Sequence, residues 1–147
     1  MTTPSAPSPN GLDLRVIFET PLRQFVPWLA MVLLVTFAGY PGVVCVTPMA
    51  WLIALRVGNL CVWRSKSTLS SRRLTEAALA GGLLGFLQGL LFASIITLLE
   101  PINADERSRT IILTLILIVS GIFAGAGLSF VTAYLNERRR NRVVEVG

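Results

Sequence analysis

The chain contains no histidine. Its absence removes the side chain most often used to bind metals and move protons near neutral pH. His-ligated haem or zinc and every His-based catalytic triad are excluded with it. Charge is also scarce. Asp, Glu, Lys and Arg make up 14% of the 147 residues, where a soluble domain carries about 25%. With 53% hydrophobic residues, too little polar surface remains to cover a water-soluble globule. Composition therefore indicates an integral membrane protein, and it excludes a disordered chain, a disulfide scaffold and a collagen-like repeat. Cysteine is limited to Cys45 and Cys61. On one helix they would stand about 24 Å apart, beyond disulfide reach. Neither belongs to a CxxC pair, so both read as small apolar fillers.

Carboxylates are missing from the apolar runs. All eight (Asp13, Glu19, Glu76, Glu100, Asp105, Glu106, Glu137 and Glu145) fall in tails, loops or at helix ends. Proton-coupled transport generally relies on an intramembrane carboxylate or histidine. The sequence also has no P-loop, dinucleotide fingerprint or Ser–His constellation. The expectation is a protein that is not an enzyme and takes no cofactor or metal.

What is present is a succession of apolar segments. Residues 1–11 (MTTPSAPSPNG) hold three prolines and no charge, the composition of a flexible tail rather than of a signal peptide. Residues 12–24 are amphipathic. Leu14, Ile17 and Phe18 share a helical face and Pro21 breaks the pattern, which predicts a short interfacial helix. From Phe25 to Trp63 the single charge is Arg56. As one helix this stretch would run about 58 Å, twice the hydrocarbon thickness, so it must fold back. The turn formers Gly39-Tyr40-Pro41-Gly42 mark the place. The predicted spans are about 25–40, 43–63, 77–99 and 110–135. A basic polar loop separates the second from the third, a mixed loop the third from the fourth, and a basic tail covers 136–147.

Lysine and arginine placement predicts the orientation. With both termini and the middle loop on one side, that side holds Arg15, Arg23, Arg64, Lys66, Arg72, Arg73, Arg138, Arg139, Arg140 and Arg142. The other side holds Arg107 and Arg109. The expected setting is a prokaryotic plasma (inner) membrane with N- and C-termini cytoplasmic. Trp28, Trp63 and Tyr134 then fall near the inner interface and Tyr40 near the outer one.

Two ladders of small residues stand out. In the third span Ala77, Gly81, Gly85, Gly89, Ala93 and Thr97 recur every four residues; in the fourth, Gly121, Gly125, Ser129 and Ala133 do so, with Ala124 and Gly127 widening the smooth face. Small residues at this spacing let helices approach closely and gain dispersion contacts. Spans three and four are expected to pack on one another through them, and one ladder is also able to receive a partner subunit or a ligand. Inside the spans, Arg56 carries the largest insertion penalty, and Asn59 and Gln88 lie within its reach. Either Arg56 snorkels to the interface, or the three residues form an intramembrane polar cluster that clamps helices or attracts an anion.

The sequence thus predicts an all-α polytopic membrane protein, with four transmembrane helices behind a short N-terminal interfacial helix. The expected role is a non-catalytic accessory or structural subunit, packed in a larger membrane complex through its glycine ladders. Its partners would be other membrane protein subunits and lipids, with anionic headgroups at the cytoplasmic basic segments. Nucleic acid is not expected, because orientation accounts for the basic residues. The alternative is a small homo-oligomeric transporter or channel with Arg56, Asn59 and Gln88 near its pathway.

Overall fold

A computed structural model describes residues 12–38, 41–67, 69–99 and 107–146. Among these every regular element is helical: α1 (Leu14–Ala38), α2 (Pro41–Arg64), α3 (Ser70–Leu99) and α4 (Arg107–Val146). Two of the four are long and apolar enough to cross a membrane by length and composition, over Ser70–Ile95 of α3 and Ser108–Asn141 of α4. The residues 1–11, the turn at Gly39 and Tyr40, and the loop 100–106 lie outside the described residues.

The helices run longer than the sequence pattern suggests. The separate interfacial helix expected at 12–24 is absent; those residues continue into α1 through Pro21 and Pro27. Each proline deletes one backbone hydrogen bond. Packing offsets the loss at Pro21, which is fully buried. The helix starts at a cap. Asp13 Oδ1 accepts from the amides of Arg15 and Val16, at 3.2 and 3.4 Å, satisfying two donors that the first turn leaves open. Its buried face is Val16, Ile17, Thr20, Pro21, Trp28 and Val32. Leu14 and Phe18, expected to share a face with Ile17, are exposed instead.

Proline also opens α2, where Pro41 occupies a first-turn position that needs no amide donor. At the other end, α3 begins seven residues before the expected Ala77, because Arg73 and Glu76 have partners within the bundle. The predicted tail 136–147 is not a separate segment: α4 carries through it to Val146. At 40 residues the helix measures about 60 Å, longer than a bilayer core is thick.

The closest pair is α3 and α4. Helix α2 lies against both, while α1 packs on α2 and α3 and, among the described residues, not on α4. Two buried clusters fill the interior. One joins Val16, Ala54, Val57, Cys61, Ala77, Ala80, Leu84 and Ala133 across all four helices. The other centres on Trp28, Val32 and Ala50. Trp28 is 2% exposed, with its ring edge-on to Phe92 at 5.8 Å between centroids. It is a core residue, not the interfacial aromatic the sequence suggested, because the α1 face it shares with Val32 turns toward α2 and α3.

Candidate functional site

The seam between α3 and α4 is built from backbone. A Cβ added to Gly85 would fall on the carbonyl oxygen of Gly121, and one added to Gly121 would come within 2.6 Å of the Gly85 carbonyl oxygen. Gly81 and Gly125 stand in the same reciprocal relation one turn away, and a Cβ on Gly89 would meet Ile118 Cα at 2.8 Å. The two helices therefore run antiparallel with glycine hydrogens aimed at opposing carbonyls. That geometry gives weak Cα–H···O contacts and continuous dispersion. Any side chain would hold the helices apart. Ala93 and Ala133 are buried beyond the two ends of this stretch, whereas Thr97 is exposed. Gly127 does not widen the seam: among the described residues nothing lies within 4 Å of a Cβ built on it, and Ala124 is exposed too.

Ser129 adds a third helix. It is fully buried, and its hydroxyl donates to the Ala54 carbonyl of α2 at 2.7 Å. A Cβ on Gly58 would come 2.7 Å from Ser129 Cα, so α2 also approaches α4 to backbone contact. Sequence reasoning did not single out Gly58. A signal was there, since Ala50, Ala54 and Gly58 repeat every four residues just as the other ladders do.

The polar residues do not converge as a single intramembrane cluster. Arg56 is exposed. Asn59 Oδ1 instead accepts from Trp63 Nε1 at 3.1 Å and from Asn136 Nδ2 of α4 at 2.8 Å. Gln88 is 7% exposed, and its Nε2 has no acceptor among the described residues. No hydrogen bond there links Arg56, Asn59 and Gln88 to one another. Their spacing along the chain fixed approximate depth, but not the direction in which each helix face points.

A different polar group gathers where α1 and α3 begin and α4 extends past Ala133. Arg73 Nη1 donates to Glu137 Oε1 and Oε2 at 3.2 and 3.3 Å, and Arg73 Nε donates to the Ser67 carbonyl at 2.7 Å. Glu76 is fully buried. Its Oε1 accepts the Asp13 amide at 2.9 Å, while its Oε2 has no partner among the described residues. The Thr20 hydroxyl lies beside the Cys61 thiol but completes no hydrogen bond of ordinary geometry. Sequence reasoning put these carboxylates at helix ends and missed their burial. Arg73 and Glu137 are 64 positions apart, so no local pattern pairs them.

Among the described residues no three His, Cys, Asp or Glu side chains come together as metal ligands. No protein-family model matches the chain, and neither a curated protein nor a solved structure shows detectable similarity to it.

Proposed function

We propose that the chain is a four-span membrane bundle acting through packing, as a non-catalytic accessory or structural subunit of a larger membrane assembly. The observation that carries this reading is the outer side of α4. Ser120, Ala124 and Gly127 are exposed there, beside exposed Phe123, Phe130 and Val131. The inner strip of the same helix, Gly121, Gly125 and Ser129, is occupied by α3 and α2. A second smooth strip is therefore free to receive another helix at short range. The two further spans follow from the run Phe25–Trp63, whose only charge is Arg56. Both termini then face the cytoplasm of a prokaryotic plasma membrane, where the basic residues meet anionic headgroups. The transport alternative would need Arg56, Asn59 and Gln88 along one path, and their separate surroundings give it no support.

The test is gentle detergent extraction followed by mass measurement of intact complexes. A stoichiometric assembly with other membrane subunits is expected, and Gly127→Leu should dissolve it while leaving the isolated chain folded. A chain that runs alone, or an assembly indifferent to Gly127→Leu, would contradict the reading.

A further inference from the structure

One side of α2 carries Arg56, Asn59 and Trp63, each about a helical turn from the next. All three are exposed. Helix α4 meets this side at Asn136, whose Nδ2 donates to Asn59 Oδ1 at 2.8 Å, and Trp63 Nε1 donates to the same oxygen at 3.1 Å. Ser129 meets Ala54 as Asn136 meets Asn59. Sequence numbers rise together in these two pairs, so α2 and α4 run parallel here. Arg56 comes three residues before Asn59, and Arg139 three residues after Asn136. Their backbones therefore lie about 4.5 Å to either side of the asparagine pair along the helix axes. Arg139 is exposed as well.

Neither arginine has a carboxylate among the described residues, where the ion pairs are those of Arg15 and Arg23 with Glu19 and of Arg73 with Glu137. In the four-span arrangement, on which this inference rests, Arg56 lies inside the second span towards its cytoplasmic end. An unpaired cation there is costly, and its long side chain reaches towards the headgroups. The countercharge has to come from outside the chain and has to suit a partly apolar setting. Leu52, one turn deeper than Arg56, is 61% exposed, and Trp63 is 77% exposed. A phospholipid supplies both parts, a phosphate at the level of the arginines and an acyl chain along Leu52. Arginine suits the phosphate, because its planar fork donates to two oxygens at once. The neighbouring acid, Glu137, is buried and engaged by Arg73, so it is not free to draw the ammonium of a zwitterionic headgroup. The asparagine pair also keeps capacity. Asn59 Nδ2 and Asn136 Oδ1 are not used in the bonds to Asn59 Oδ1, and together they match a hydroxyl, which accepts and donates.

We propose that α2 and α4 together bind one anionic phospholipid, its phosphate held between Arg56 and Arg139, a headgroup hydroxyl on Asn59 and Asn136, and an acyl chain along Leu52. The site does not use Ser120, Ala124 or Gly127, which are left to the partner helix.

Thermal unfolding of the full chain, stripped of lipid in detergent, is followed with added short-chain phosphatidylglycerol, phosphatidylcholine or inorganic phosphate. Phosphatidylglycerol should raise the midpoint saturably, and phosphatidylcholine should raise it little at the same concentrations. Arg56→Gln and Arg139→Gln should each raise the half-saturating concentration about tenfold. Both side chains are exposed, so without lipid both variants should unfold at the wild-type temperature. Arg138→Gln should leave the titration unchanged, since Arg138 is exposed but two residues from Asn136, on another side of α4. Equal stabilisation by phosphatidylcholine, or equal weakening by Arg138→Gln, would overturn the proposal in favour of general attraction to a basic surface. Inorganic phosphate matching phosphatidylglycerol would overturn it too, since the site would then take a free anion. So would release of a co-purifying protein by Arg56→Gln with an unchanged lipid titration, which would give this side to an acidic segment of a partner subunit. Accessibility labelling of the loops tests the four spans separately, so failure of the site and failure of that reading are distinguishable.

Discussion

Two regions of the bundle are held by different means. At one end, polar side chains close it: the Glu76 carboxylate accepts from the Asp13 backbone amide, Arg73 pairs with Glu137, and Asn59 meets Asn136. Toward the other end, beyond the contact of Ser129 with Ala54, α2 and α4 part over Gln88 and leave an apolar groove. Between them the glycine seam supplies contact without side chains. The contrast shows where polar groups are tolerated. In the arrangement proposed, the bonded end is the cytoplasmic one, where water stands ready to solvate these groups before the chain folds. The Gln88 Nε2, without an acceptor among the described residues, lies deeper, where an uncompensated polar group is hardest to accommodate.

The largest effect should come from breaking the bonded end. Glu137→Leu leaves the Arg73 guanidinium buried without its carboxylate, and should cost about 3 kcal/mol, read from unfolding titrations in detergent. Arg73→Met combined with Glu137→Leu should recover most of that loss, because an apolar pair no longer strands a charge. If the double variant lost as much as the sum of the two single ones, the pair would not be acting as a unit.

The seam comes next. Gly85→Leu drives a side chain into the Gly121 backbone and should cost about 2 kcal/mol. Gly127→Leu, which meets nothing within 4 Å among the described residues, should stay within about 0.5 kcal/mol of wild type in the isolated chain. Equal losses at the two positions would mean that the close approach contributes nothing.

A smaller effect belongs to the junction of the two regions. Ser129→Ala deletes the bond to the Ala54 carbonyl and should cost about 1 kcal/mol. Thermal unfolding of the purified chain would detect it. Arg56→Leu should change least. The side chain is exposed and, among the described residues, shares no bond with Gln88 or Asn59, so assembly and stability should stay within about 0.5 kcal/mol. A marked loss would restore the clamp between Arg56 and Gln88.

Much of the seam was legible because its signal is periodic. Glycines four residues apart mark a helix face regardless of what lies opposite, and Gly81, Gly85, Gly121 and Gly125 are the residues at closest approach. Gly58 was legible as well, but its ladder is short and partly alanine, so it passed as ordinary apolar sequence. The bonded end was not legible. The chain around Arg72, Arg73 and Glu76 has the composition of a polar loop, and only the folded bundle brings Glu137 and the Asp13 amide to it. Helix ends were misplaced for the same reason. Pro21 breaks a helix in isolation, but here α1 runs through it because the surrounding packing holds it. The direction of Trp28 also depends on which face of α1 docks, which its amphipathicity alone left open.

The most direct test of the four-span arrangement is labelling of single cysteines from outside intact cells, in a background of Cys45→Ser and Cys61→Ala. Ser108→Cys, at the start of α4, should react with a membrane-impermeant maleimide. Ser70→Cys, at the start of α3, and Asn141→Cys, far along α4, should react only after the cells are opened. All three positions are exposed, so burial would not mask the result. Reaction of Ser70→Cys from outside the intact cell would contradict the orientation, and reaction of Ser70→Cys and Ser108→Cys from the same side would contradict the number of crossings on which the proposed function rests.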